Sequence, residues 1–558
     1  MSYHPQNPLI VQSDRSVLLE VDNPLYADAR DGLGRFAELE KSPEHVHTYR
    51  ITPLSLWNAA SAGLKAKDIL STLEQFSKYE IPQNIRVEIE EQVARYGRIK
   101  LEKENGSYVL TSQEAPLIAQ IWHHRSVKPF LKEKIDAHRI LIDPYMRGHV
   151  KQALIKIGFP VQDLAGYVEG DFLHLELRSR TLEGKNFVLR RYQQEAIDTF
   201  HADGSVLGGS GVIVLPCGAG KTMVGLGIMA RLKTQTLILA TSTIAVRQWI
   251  REILDKTSLS EAEVGEYTGE TKGIRPVTIS TYQILTYRKR KSSEFVHFGL
   301  FNERNWGIII YDEVHLLPAP VFRITAELQA KRRLGLTATL VREDGREDDV
   351  FSLIGPKKYD VPWKILEKQG WIATAVCTEI RINLPAELRM HYALADGRTQ
   401  FRIASENPQK FEVLQKLLQR HKGDQVLIIG QYIDQITHIA EALKAPLITG
   451  QTPNRDREKL YADFRNNKLK LLVISKVGNF AIDLPDANVL IQVSGTFGSR
   501  QEEAQRLGRI LRPKSDGSLA HFYSLITRDT KDQDFAANRQ LFLTEQGYSY
   551  EIRDEGNL

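Results

Sequence analysis

The chain has 558 residues, enough for three or four domains of ordinary size. Hydrophobic residues make up 42% and charged ones 26%, a balance that excludes a disordered chain. The net charge of +5 is too small to define a nucleic-acid partner, so any basic groove must come from local clustering. Two cysteines, Cys217 and Cys377, exclude a disulfide framework and a cysteine-rich zinc site. They suit a reducing compartment, the cytoplasm, or the nucleoid if DNA is the partner. The first residues lack a basic start followed by an apolar stretch of signal-peptide length. No uninterrupted apolar run reaches about 18 residues, so no membrane span is expected.

Residues 1 to about 105 mix short strands with helices and are expected to form an N-terminal accessory domain. Thr52-Pro53 makes an N-cap and N1 pair. Ile69, Leu73 and Phe76 follow at the spacing of one buried helix face. "RYGRIKLEKENGSYVL" predicts a hairpin about Asn105-Gly106. Residues 106–180 predict a small α/β unit. By sequence physics alone, both units read as scaffold or docking surface.

From about residue 181 the rhythm changes. Apolar strands are predicted at 211–216, 236–241, 277–281, 306–312 and 333–339, with amphipathic segments between them. A second series is predicted at 425–430, 446–450, 471–476, 488–493 and 520–526. Continuous apolar strands alternating with helices imply parallel sheets covered on both faces. The expected architecture is therefore two tandem α/β domains, at 181–365 and 366–558, behind an α+β N-terminal region. Functional groups belong at the carboxyl ends of the strands.

"LPCGAGKTMVG" follows the first strand of the first series. The strict G-x4-G-K-[ST] spacing fails, because Leu215 stands where the first Gly would be. Leu215, Pro216, Cys217, Gly218, Ala219, Gly220, Lys221 and Thr222 nevertheless place a tight glycine turn between strand and helix. Glycines let backbone N–H groups approach phosphate oxygens, and the helix end favours negative charge. Lys221 would reach the β- and γ-phosphates of ATP, and Thr222 would ligate Mg²⁺. Alone, such a turn is also an ordinary structural feature. "WGIIIYDEVHLLP" supplies the second half. Asp312 would hold Mg²⁺, Glu313 would activate water, and His315 would couple the site to the neighbouring domain. A bare acidic pair after a strand is commonly a helix cap; its pairing with Lys221 favours chemistry. Near the end of the second series, Arg506, Arg509 and Arg512 recur every three residues on one predicted helix face. Such a face can be merely solvated. Read functionally, Arg509 and Arg512 are arginine fingers, worth roughly 10³–10⁵ in rate.

Taken in order, "LRRYQQEA", "PCGAGKT", "DEVH", "TAT" and "QRLGRILR" resemble superfamily 2 helicases. "DEVHLLPAPVFR", "LGLTATLVRED", "LIGPKKYDVPW" and "SKVGNFAIDLPDANVLIQVSGTFGSRQEEAQRLGRILR" narrow the resemblance to the XPB helicase family, over about residues 90–558. The resemblance implies two RecA-like domains behind a damage-recognition-like domain. It also implies DNA-dependent ATP hydrolysis with 3′→5′ unwinding or translocation, serving repair. Gln193, helped by Arg190, would read adenine. Thr337 and Thr339 would link hydrolysis to strand separation, and Arg342, Glu343 and Asp344 would open the duplex. The last three also read as a solvated charged loop.

Strand-end residues Thr243, Arg247, Trp249, Thr281, Tyr282, Ser475, Lys476 and Gly478 suit contacts to a DNA backbone. Trp249 either stacks on a base or belongs to the core. Asn479 replaces the family's Asp. A short thumb-like segment at about 384–410 carries Arg389, Arg398, Arg402 and Lys410. The competing functional class is an ATP-gated DNA-opening or double-strand translocase subunit serving a partner such as a nuclease.

Overall fold

The computed structural model describes residues 3–41, 45–143, 146–216, 218–288, 296–318, 320–321, 325, 331–338, 347–361, 363–475, 487–496, 503, 506–508, 510–511 and 519–557. The chain divides into two compact units, Met1–Leu215 with Gly220–Val361 and Pro362–Leu558 with Pro216–Ala219.

The first unit contains three sheets. Strands β1 (Leu9–Val11), β2 (Ser16–Glu20), β3 (Glu38–Lys41) and β4 (Val46–Arg50) form an antiparallel sheet in the order β1-β2-β4-β3. The helix Pro53–Ser61 starts where expected, with Thr52 Oγ1 accepting from the Ser55 N–H at 3.0 Å. Ile69 and Leu73 are fully buried on the next helix, and Phe76 nearly so.

A five-stranded sheet follows, built from β5 (Ile99–Glu104), β6 (Ser107–Thr111), β7 (Leu131–Lys134), β8 (Arg139–Ile142) and β9 (Val161–Asp163). Glu104 pairs with Ser107 across the predicted turn, and Asn105 and Gly106 both take positive φ, 47° and 83°. Two consecutive left-handed residues give the turn whose twist matches paired strands. This hairpin lies inside the second sheet, so a division at residue 105 would cut β5 from β6; the sheet begins at Ile99.

The third sheet runs β12-β13-β11-β14-β15-β10-β16, parallel throughout. Its strands are β10 (Ser210–Val214), β11 (Thr236–Ala240), β12 (Val264–Tyr267), β13 (Val277–Thr281), β14 (Ile308–Asp312), β15 (Arg332–Thr337) and β16 (Lys357–Asp360). Ile308, Ile309 and Ile310 are wholly buried, because β14 is central and covered on both faces.

The second unit repeats this plan as β19-β20-β18-β21-β22-β17-β23, again parallel. The strands are β17 (Ala375–Ile382), β18 (Val426–Gly430), β19 (Leu447–Ile448), β20 (Leu471–Ser475), β21 (Val489–Gln492), β22 (Ala520–Thr527) and β23 (Tyr550–Asp554). Two RecA-like domains in tandem, each with seven described strands, are thus present. The thumb-like segment forms the helices Ala386–Leu394 and Gly397–Ser405. Lys410 is not one of its surface cations. It is buried, with Nζ 2.7 Å from Asp532 and 3.1 Å from the Val493 carbonyl oxygen. No helix among the described residues is long and apolar enough to cross a membrane.

Candidate nucleotide site

Three neighbouring strands deliver the site. β10 ends in the glycine turn, β14 ends in Asp312 and β15 ends in Thr337. Gly218 and Gly220 adopt φ of 79° and 81°, open to glycine without the Cβ penalty. A Cβ on Gly220 would stand 2.5 Å from Gln193 Nε2, so a side chain there would displace the glutamine. No side chain caps the helix Lys221–Leu232, whose first turn presents backbone amides suited to phosphate. Gln193 is itself held, since its Oε1 accepts from the Arg190 N–H at 2.9 Å, while Arg190 donates to the Tyr192 hydroxyl at 3.1 Å. Thr222 is half-buried one residue into the helix.

Lys221 Nζ donates to Glu313 Oε1 at 3.0 Å, joining the turn to the acidic strand tip. Glu313 sits at φ 49°, ψ 55°, a left-handed conformation unusual for a side-chain-bearing residue. Such geometry costs about 1–3 kcal/mol and concentrates at functional sites. It turns the chain so that the Glu313 N–H donates to Asp312 Oδ1 at 3.0 Å. The other oxygen, Oδ2, accepts from Trp249 Nε1 at 2.9 Å. Burial first, then the neighbouring Glu313 charge, raise the Asp312 carboxyl well above the usual range; Trp249 and Lys221 oppose this.

An acid so crowded by negative charge favours a cation. Among the described residues no three His, Cys, Asp or Glu side chains converge on a metal position. Mg²⁺ keeps waters and binds through one or two carboxylates plus substrate phosphates. Asp312 and Thr222 fit that role.

His315 is buried, with Nδ1 2.7 Å from Thr337 Oγ1 and 3.5 Å from Glu313 Oε2. It therefore ties the acidic tip to β15 within its own sheet. Trp249 is 2% exposed and packs against Gly225, so it belongs to the core and is unavailable to stack on a base. Tyr282 is likewise buried, its hydroxyl donating to the Asp312 carbonyl oxygen at 2.9 Å. These two roles beneath Asp312 escaped sequence reasoning; the hint is an aromatic in the helix after β11 and another directly after β13. Thr281 is buried and caps its short helix through Ile284 N–H at 3.3 Å. Thr243 begins the helix Thr243–Lys256, and Arg247 meets Glu270 at 2.5 Å and Glu266 at 3.6 Å. Ser475 is buried at the end of β20. Arg506 is fully buried against Gln492. Cys217, Thr339, Arg342, Glu343, Asp344, Lys476, Gly478, Asn479, Arg509 and Arg512 lie outside the described residues.

A glycine turn, a lysine and an acidic strand tip, on the first of two RecA-like sheets, define a P-loop nucleotide hydrolase of helicase build. Comparison with known proteins agrees. Residues 366–556 match the model of the ERCC3/RAD25/XPB C-terminal helicase, 186–342 that of the type III restriction enzyme res subunit, and 9–136 that of a helicase conserved C-terminal domain. The chain is 52% identical to the DNA 3′-5′ helicase XPB of Kineococcus radiotolerans, over 99% of this chain and 97% of the relative. It is 54% identical to the protein of that name from Mycobacterium tuberculosis, over 99% and 98%. The general transcription and DNA repair factor IIH helicase/translocase subunit XPB of Enterocytozoon bieneusi is 34% identical over 97% of this chain and 92% of its own length. Among solved structures, a DNA-bound ATP-dependent type ISP restriction-modification enzyme, LlaBIII, shares the fold at TM-score 0.50 and 14% identity, over 66% of this chain and 31% of that one. The chain belongs to the XPB family of helicases.

Proposed function

We propose that this chain is a 3′–5′ DNA helicase that couples ATP hydrolysis to strand separation, in DNA repair. The observation that carries this reading is the Lys221–Glu313 ion pair at 3.0 Å beside Asp312. Gln193 and Arg190 face the base, and Lys221 with the turn amides takes the phosphates. Mg²⁺, held by Thr222 and Asp312, would neutralise charge developing on the phosphates. Glu313 orients and deprotonates the attacking water, for which Lys221 must first leave it and turn to phosphate. ATP arrival thus releases the base. His315 passes the change to Thr337 on β15. Arg509 and Arg512 supply positive charge to the transition state. Thr339, Arg342, Glu343 and Asp344 serve strand opening, and Lys476 and Gly478 contact the DNA backbone.

The test is steady-state ATP hydrolysis with no nucleic acid, single-stranded, forked or duplex DNA, and RNA, with Lys221→Ala alongside. Strong DNA stimulation lost in Lys221→Ala is expected; turnover that persists in the variant would refute the site. A second reading, a duplex translocase serving a partner such as a nuclease, draws support from the helicase/translocase naming of the eukaryotic relatives. ATP-dependent displacement from a 3′-tailed fork supports helicase action. Hydrolysis without displacement supports the translocase.

A further inference from the structure

The second unit holds a buried ionic cluster centred on Arg539, a residue of the helix Lys531–Glu545 that is 1% exposed. Its Nη1 donates to the Thr496 carbonyl oxygen at 2.8 Å, shortly past the end of β21. The guanidinium also lies against the backbone of Gly495, where a Cβ would stand 2.2 Å from Cζ and 2.5 Å from Nη1. The rest of the fork faces two buried carboxylates. Nε stands 3.7 Å from Glu503 Oε2, and Nη2 stands 3.8 Å from Asp532 Oδ1. Glu503 Oε1 accepts from the Tyr550 hydroxyl of β23 at 3.2 Å and from the Ser524 hydroxyl of β22 at 3.4 Å. Asp532 Oδ2 accepts from Lys410 at 2.7 Å.

In this cluster two cations face two carboxylates, so its charge is balanced. Its hydrogen bonding is not complete. Among the described residues, Arg539 Nε, Glu503 Oε2, Asp532 Oδ1 and Thr496 Oγ1 are buried without a hydrogen-bond partner. The two carboxylate separations exceed hydrogen-bond length. Such a cluster is a poor source of stability, because apolar side chains of similar volume serve a core as well or better. Buried polar atoms left unsatisfied call for another explanation. The cluster joins two pieces of chain. Thr496 follows β21, and Glu503 is helical with Arg506, Leu507 and Gly508. Glu503, Arg506, Leu507, Ile510 and Leu511 are all buried, and Arg506 donates to Gln492 at the end of β21. The same stretch of sequence carries Arg509 and Arg512.

We propose that Arg539 is a positioning residue for ATP hydrolysis. It holds the chain leaving β21 against Glu503, and so fixes where the stretch bearing Arg509 and Arg512 begins. The proposal rests on the reading of those two arginines as fingers. Lysine at 539 would keep the charge balance and lose the planar fork, whose N–H groups address Thr496, Glu503 and Asp532 at once.

The experiment is steady-state hydrolysis of radiolabelled ATP by the full chain at saturating forked DNA. The proteins are wild type, Arg539→Lys, Arg512→Ala and the double variant, with the thermal midpoint of each recorded. Arg539→Lys is expected to lower kcat about tenfold and to leave KM for ATP within about twofold, the pattern of a group that acts only in the transition state. The double variant should be no slower than Arg512→Ala alone, because both changes act through the same arginine. If Arg539→Lys does not fold, Glu503→Gln takes its place with the same expectation. Near-native kcat, a loss confined to KM, or losses that multiply in the double variant would each overturn the proposal while leaving the finger reading intact. Undiminished turnover in Arg512→Ala would instead overturn the finger reading, and the proposal with it.

Discussion

Glu313 combines two properties that a resting side chain rarely shares, a left-handed backbone and an ion pair with Lys221. The amide of glutamine would preserve shape and backbone while losing the proton acceptor. Glu313→Gln is therefore expected to bind ATP at near-native affinity and to lose at least 10²-fold in turnover. Near-normal hydrolysis would remove Glu313 as the base. Trp249 tests the layer beneath. Its indole N–H is a charge-assisted donor to Asp312 Oδ2, a bond worth about 1.5–3 kcal/mol. Trp249→Phe keeps most of the ring and deletes the donor. The expected result is a higher Mg²⁺ requirement for half-maximal hydrolysis, with DNA affinity unchanged. A loss of DNA affinity at unaltered Mg²⁺ requirement would instead return Trp249 to base stacking.

Helix Lys221–Leu232 and helix Thr243–Lys256 meet at a glycine. A Cβ on Gly225 would lie 2.6 Å from Trp249 Cη2 and 3.2 Å from Cζ3, both on a rigid buried ring. Alanine gains about 1 kcal/mol of helix propensity over glycine. Overpacking a core costs about 1–3 kcal/mol, and the ring has no flexible end to yield. Gly225→Ala is expected to lower the thermal midpoint and to weaken hydrolysis by shifting the indole off Asp312; a raised midpoint would show that the ring gives way. The apolar strands β10, β11, β13, β14 and β15 were legible because each is a covered run ending at a turn. Strand β16, "KKYD", was not, since an edge strand needs little apolar content. Strand β17, "AVCTEIRI", alternates charge into its run; Glu379 is buried there only because Gln540 and Arg381 hold it at 2.7 and 2.8 Å. The lysine, the acidic pair and the glycines were readable from spacing. The supports under Asp312 were not, because Trp249 and Tyr282 arrive on helices that follow other strands, β11 and β13, and only the parallel order of the sheet brings them together.

Across the chain, 74 lysines and arginines nearly cancel 69 acids, so DNA binding must depend on where unneutralised cations remain. Arg247, placed on the DNA path by sequence, and two cations of the thumb-like segment and its end are already paired. Arg247 lies against Glu270 and Glu266, Arg402 against Glu406 and Asp434, and Lys410 against Asp532. Each phosphate contact contributes about 0.7–0.9 to the slope of log affinity against log salt. Were Arg247 to grip a phosphate, Arg247→Ala would reduce that slope by nearly one. The ion pairs argue otherwise, because a guanidinium between two carboxylates gives up much of its attraction for a third anion. We expect the wild-type chain to bind a forked DNA with affinity that falls as salt rises, and Arg247→Ala to keep the same slope. A slope lowered by about one in titrations from 50 to 200 mM salt would show that Arg247 leaves its carboxylates when DNA arrives. The electrostatic footprint would then be assembled on binding rather than built into the free protein.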